Sequence, residues 1–196
     1  VREGGSFVTT FFSGYVDDHD LVTVGGYPGK LRDILGIWVE EEDALPEEEH
    51  NTFNYQGTSY PATLICDLLH TEGAETLSSY DRDFYAGMPA LTRNRFGQGN
   101  AYYVATRSNE AFYHRLIGDL CAEAGIAPIM HTREHIEVTE RTNENGTFLF
   151  ILNHGTQSHD IILNRPGTDI LTDKEYRAGD DLILAAKDAA IIRTAK

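Results

Sequence analysis

Basic residues and cysteines are scarce in this chain, and long apolar runs are missing from it. Its 196 residues include 16 Lys plus Arg against 31 Asp plus Glu, a formal net charge of −15. A nucleic-acid-binding face needs lysine and arginine to replace phosphate counterions, and an anionic membrane recruits the same residues. The deficit argues against both partners. The two cysteines, Cys66 and Cys121, form no CxxC pair and no disulfide framework. Each sits in an apolar pattern, so both are expected as buried free thiols, in keeping with a reducing cytoplasm. No stretch approaches the roughly 18 apolar residues of a membrane span, and no signal peptide is visible. The opening "VREGGSFVTTFF" has no initiating methionine. It reads as a helix end, a Gly-Gly stop and a strand, which suggests a fragment.

What is present is ordinary for a globular chain: 41% hydrophobic and 24% charged residues. The length suits one large domain or two small ones. "SFVTTFFS" (6–13) is β-branched and aromatic throughout, which predicts a strand buried on both faces. Pro28 suits a helix's first turn, Leu31, Ile34 and Leu35 have helical spacing, and Gly36 is placed to stop the helix. "IWVEE" then restarts as a short strand. Residues 40–60, with the acidic run "EEEDALPEEEHN", read as a solvated loop. "ATLICDLLH" and "AETLSSY" predict two strands around "TEG". "PALTRNRF" and "AYYVATR" predict a hairpin, with Gly97 and Gly99 supplying positive φ angles. Residues 108–124 predict the clearest helix, capped by Ser108 or Asn109, with Phe112, Leu116, Leu120 and Ala124 on one face. Gly125 and Pro128 end it. From about residue 131 the pattern changes to short strands: "HIEVTERT", "FLFILNH", "HDIILN", "DILT", "DDLILA" and "AAIIRT". A domain boundary is expected near residue 130.

The candidate chemistry is thin. Asp17, Asp18, His19 and Asp20 could hold a metal, but the calcium-loop glycine and terminal glutamate are missing. His131 and His135 stand four apart without the glutamate of HExxH, beside Pro128 and a strand pattern. "GGYPGK" puts Leu31 where a phosphate loop needs a hydroxyl. Neither Ser13 nor Cys66 lies in a nucleophile elbow with a His and acid partner. Asn145-Gly146-Thr147 is a formal glycosylation sequon, yet it also reads as a hairpin turn between strands. No pair of carboxylates is singled out for glycosidase work. A carbohydrate-binding role for residues 131–196 has few aromatics to rest on, and Phe148 and Phe150 alternate as core residues would. The reading is therefore of no catalytic residue, no metal and no cofactor.

Two stretches, "GGSFVTTFFSGYVDDHDLVTVGGYPGKLRDILGIWVEEED" and "GAETLSSYDRDFYAGMPALTRNRFGQGNAYYVAT", are specific in order and spacing. With the later "HIEVTERTNENGTFLFILNH" they resemble glycoside hydrolase family 42 β-galactosidases over nearly the whole chain. The resemblance implies a three-part parent: a (β/α)₈ barrel, a flavodoxin-like middle domain that forms a homotrimer, and a C-terminal antiparallel β domain. The barrel, with both catalytic glutamates of a retaining mechanism, has no counterpart here. It implies that this chain is a non-catalytic assembly and C-terminal segment, inactive alone, whose parent binds a β-galactoside in the barrel. The fold class it implies is α/β: a flavodoxin-like, class I amidotransferase-like, three-layer domain over 1–130, incomplete at its N-terminus. A small antiparallel β domain over 131–196 follows. The alternative is a stand-alone flavodoxin- or amidotransferase-like module that binds a small molecule. Arg82, Asp83, Arg93 and Arg95 are expected to order loops or subunit contacts. Tyr27, Trp38 and Tyr85 are the aromatics that could approach the mouth of a neighbouring barrel, since sugars stack on aromatic faces.

Overall fold

Strand-forming sequence dominates the computed structural model, which describes residues 1–194. Strands take 47% of the residues and helices 11%. The chain divides into two units, Val1–Ile126 and Ala127–Lys196.

The first unit runs β1 (Ser6–Thr10), a 3-10 turn at Gly29–Leu31 leading into α1 (Arg32–Leu35), β2 (Ile37–Ala44), β3 (Asn51–Tyr55), β4 (Thr58–Thr71), β5 (Glu75–Ser79), β6 (Pro89–Phe96), β7 (Gly99–Val104), β8 (Thr106–Arg107) and α2 (Glu110–Glu123). One sheet has the order β1-β7-β6-β5; a second has β2-β4-β3, with β8 added to β4. This overturns the expected three-layer flavodoxin-like domain. That architecture needs parallel strands joined by helical crossovers of a dozen or more residues. Here β3 joins β4 through Gln56 and Gly57, and β6 joins β7 through Gly97 and Gln98, which leaves no room for a crossover. Among the described residues β1 and β7 form the one parallel pair. Among the described residues α2, with 14 residues, is the one long helix; α1 has four. The stand-alone flavodoxin or amidotransferase reading falls with the architecture.

Three local expectations change as well. β1 stops at Thr10 and is half-buried rather than enclosed, because it pairs only with β7 and has no strand on its other edge. Residues 40–60 are largely strand. Asn51, Phe53 and Tyr55 alternate inward against Tyr60 and Ala62 across the β3–β4 hairpin, and the acidic run is split between the end of β2, Glu40–Asp43, and the connection before β3, Glu47–Glu49. Gln56 takes φ 51° and Gly57 φ 82°, the positive pair a two-residue turn requires. Gly97 has the expected positive φ of 63°, but Gly99 serves close approach instead. A Cβ there would sit 2.1 Å from the Gly5 carbonyl oxygen.

α2 forms where its spacing predicts. The Asn109 carboxamide accepts from the Phe112 N–H at 3.1 Å, capping the first turn. Phe112, Leu116 and Leu120 are buried, whereas Ala124 lies beyond the last turn and is exposed. Phe112 inserts between Phe53, Tyr60 and Tyr55, with ring centroids 4.9, 5.4 and 6.0 Å away. The α1 stop is the αL glycine Gly36, whose N–H donates to the Arg32 carbonyl.

The second unit comprises β9 (Ile136–Asn143), β10 (Gly146–Asn153), β11 (His159–Ile162), β12 (Gly167–Asp169), β13 (Glu175–Tyr176), β14 (Asp181–Leu184) and β15 (Ala189–Thr194). All its pairings are antiparallel, in a sheet β13-β12-β15-β10-β9 and a pair β11-β14. Leu149, Ile151 and Ile192 are fully buried. Phe148 and Phe150 stand on the opposite, half-exposed face of β10, so they are not the core residues their alternation suggested. "DILT" is mostly a turn: β12 ends at its first residue. The sequon residues lie at the β9–β10 hairpin, where Asn143 pairs with Gly146.

Candidate functional site

The least expected chemistry lies between β2, β4 and β7. Glu42 and Asp67 are direct cross-strand partners, which places two carboxyl groups on one face of the sheet. Asp67 is fully buried. Its backbone N–H donates to the Ala105 carbonyl at 2.8 Å, and the Tyr103 hydroxyl donates to its Oδ2 at 2.6 Å. Asp67 Oδ1, Glu42 Oε1 and the Tyr27 hydroxyl have no hydrogen-bond partner. The Tyr27 hydroxyl lies close to Asp67 without the geometry of a normal hydrogen bond. Burial pushes the Asp67 carboxyl up to about 7; Tyr103 and Tyr27 oppose that, and Glu42 adds to it. The same burial, next to Asp67, raises the Tyr27 and Tyr103 hydroxyls beyond any physiological titration. Glu42 keeps partial exposure, but Asp67 has none, and two carboxyls cannot flank a sugar when a pyranose cannot reach one of them.

The three aromatics singled out from the sequence do not form one site. Tyr27 is 4% exposed and Tyr85 1%, so both belong to the core. Tyr85 donates to Asp43 Oδ2 at 2.8 Å and packs edge-on to Tyr80. Trp38 is half-buried on β2 and stacks on its cross-strand neighbour His70, centroids 4.6 Å apart. The Arg32 guanidinium lies 5.7 Å from its ring centroid and grips Glu72 with two hydrogen bonds. His70 Nε2 pairs with Glu40 at 2.7 Å. Gly26 presses on the same ring; a Cβ there would lie 2.8 Å from it and 2.5 Å from the Val39 carbonyl oxygen. Gly26 also holds φ 91°. Gly26→Ala is therefore expected to cost about 1–3 kcal/mol and to loosen the Trp38 stack. Urea unfolding followed by tryptophan fluorescence reads both, and an unchanged midpoint would contradict the packing.

The remaining candidates have structural partners. Asp17, Asp18 and His19 bring ligand atoms together on an exposed loop. Asp17, however, uses its carboxylate to accept from the His19 and Leu21 N–H groups, which holds it below the usual carboxylate range. Arg93 pairs with Glu75, and Arg95 reaches the Gly97 carbonyl. The Arg82 backbone is clamped by Asn51, and the Asp83 carboxylate accepts from the Phe84 N–H. These contacts order loops, and nothing among them forms a reacting constellation. Cys66 is buried, and that burial pushes its thiol up, away from the nucleophilic thiolate. Cys121 is partly exposed on α2, not enclosed as expected. Glu42 and Asp67 escaped the sequence reading because one sits in an acidic run and the other inside an apolar strand. Only the β2–β4 register makes them neighbours.

The family model of the β-galactosidase trimerisation domain matches residues 1–127, and that of the β-galactosidase C-terminal domain matches residues 135–194. The chain belongs to glycoside hydrolase family 42. It represents the trimerisation and C-terminal domains of that family. The β-galactosidase BgaA of Planococcus sp. (strain 'SOS Orange') is 43% identical over 98% of this chain, which covers 29% of that protein. The β-galactosidase Pbg of Clostridium perfringens is 41% identical over 88% of this chain, covering 26% of that protein. In three dimensions the chain is similar to the β-galactosidase from Bacillus circulans sp. alkalophilus, with a TM-score of 0.89 at 40% identity, over 99% of this chain and 30% of that one. The family 42 chain thus spans less than a third of the relatives it matches.

Proposed function

We propose that this chain is the assembly segment of a β-galactosidase that works as a homotrimer. Residues 1–130 carry the contacts between copies, and residues 131–196 form an accessory antiparallel β domain. The match of residues 1–127 to a trimerisation domain carries the reading. The reaction, cleavage of a terminal β-D-galactoside with retention, belongs to the part of the longer protein that this chain does not span. The buried Asp67 is in keeping with that division, since the most perturbed carboxyl in the chain is closed to substrate. The expected readout is direct. This chain should release no chromophore from a chromogenic β-galactoside, and the full-length protein should. Turnover by this chain alone would overturn the reading.

A cytoplasmic location accompanies the proposal and rests on the two free thiols. Of the aromatics proposed to stand near a neighbouring copy's substrate, Trp38 carries the idea, because its ring alone keeps partial exposure; Tyr27 and Tyr85 would act only by holding the surrounding backbone. In the full-length enzyme, Trp38→Ala is expected to raise the galactoside KM several-fold with kcat little changed, the pattern of lost ground-state and transition-state binding alike. Unchanged KM and kcat would exclude Trp38 from the site.

A further inference from the structure

Exposed apolar surface on the first unit is concentrated in one loop. Phe12, Val16, Leu21, Val22 and Val24 all face solvent, Val24 at 99% exposure and Leu21 at 64%. Val16, Leu21, Val22 and Val24 stand around a groove of about 710 Å³ whose wall continues through Pro28 and Leu31. Exposed apolar side chains gathered around one groove mark an interaction site.

The loop is built to present these side chains. Val16 and Val22 form an antiparallel bridge, and the Thr23 N–H donates to the Tyr15 carbonyl at 3.2 Å. The Asp17 carboxylate ties down the tip through the His19 and Leu21 N–H groups, at 2.8 and 3.0 Å. At its base Gly14 lies so close to Pro28 that a Cβ would sit 2.3 Å from the Pro28 carbonyl oxygen. A surface held in place before contact loses less freedom on binding.

We infer that this loop, centred on Leu21, Val22 and Val24, is a contact through which one copy of the chain binds a second copy. The inference rests on the assembly reading above. The loop lies within the stretch that matches the trimerisation domain. The chain carries a net charge of −15, so two copies repel over most of their surfaces. Contact is favoured where aliphatic area is dense and the charges are of both signs. The groove meets that condition: Asp17 and Asp18 stand with Lys30 at its rim. A three-fold ring is made of head-to-tail contacts, so the rim acids of one copy meet a different face of the next.

The test is sedimentation equilibrium on this chain and on the full-length protein, wild type and with Leu21→Asp or Val24→Asp. Both side chains are exposed and support no core, so circular dichroism should be unchanged. Ile183→Asp, an equally exposed aliphatic in the second unit, is the control. The expected result is a trimeric wild type and control, with a trimer dissociation constant raised roughly ten- to hundredfold by each loop substitution. A trimeric wild type with an unchanged constant in both loop variants would overturn the loop contact and leave the assembly reading standing. A wild-type chain that stays monomeric at every concentration would overturn both, whatever the full-length protein does. Loop variants that stay trimeric but lower the thermal midpoint of the full-length protein would show that the rest of the longer chain covers the loop, which also overturns the proposal.

Discussion

Phe112→Ala is expected to cost the first unit about 3–5 kcal/mol, the range for truncating a large buried aromatic. The ring is fully buried and sits edge-on to Phe53 at 4.9 Å, with Tyr60 and Tyr55 closing around it. No small shift of those three aromatics fills the space, because Tyr55 is also tied to Asp119 by its hydroxyl. α2 buries three side chains against the sheet, Phe112, Leu116 and Leu120, with Tyr113 half-buried beside them and Asp119 and Glu123 holding the Tyr55 and Tyr102 hydroxyls. Loss of the first should therefore release much of the helix. Since whole domains are stable by about 5–15 kcal/mol, the variant should be close to unfolding near room temperature. Urea denaturation followed by circular dichroism measures it. A loss below about 1 kcal/mol would mean that the helix is held by something other than this aromatic cluster.

Stability is expected to fall as pH rises from about 4 to about 7, and Asp67→Asn should remove that fall. The folded chain holds Asp67 at about 7 against an ordinary value of 3.8, with burial the main cause. A carboxyl raised on folding binds its proton more tightly in the native state. Its stabilising effect is complete below the unfolded value and is lost as pH climbs to the folded one. Three units correspond to about 4 kcal/mol at most. Asp17 and Glu72 have the opposite sign, because hydrogen bonds hold both below the carboxylate range; what they contribute is lost as pH falls. Both are exposed, so Asp67 dominates above pH 4. Urea midpoints at pH 5 and pH 8 should differ clearly in the wild type and little in Asp67→Asn, with the variant gaining stability at pH 8. Equal pH dependence in the two proteins would show that Asp67 titrates normally.

Periodic elements were legible from the sequence. α2 announced itself through Asn109 and the four-residue spacing of Phe112, Leu116 and Leu120, and the β6–β7 hairpin through Gly97. β9, β10, β11, β14 and β15 lie within two residues of where their sequence patterns begin or end, whereas β12 and β13 do not follow theirs. The resemblance implies a parallel sheet for the first unit, and the strand pairing contradicts it. The connections themselves, such as Gln56-Gly57, are too short for a parallel sheet. Gln56 hid the turn, since glutamine is not a usual donor of positive φ. The Glu42–Asp67 pair is illegible for a different reason. Alternation within β2 and β4 is visible in the chain, but which residue of one strand faces which of the other is not. That depends on the register shift between Val39 and Glu41. Tyr27 and Tyr85 drew attention as loop aromatics, and both proved to be core because their hydroxyls turn inward to Asp67 and Asp43.

The central claim, that this segment exists to assemble copies, is tested most directly by its mass in solution. Light scattering after size exclusion should give three times the 21.9 kDa of one chain. A mass of one chain at every concentration measured would contradict it.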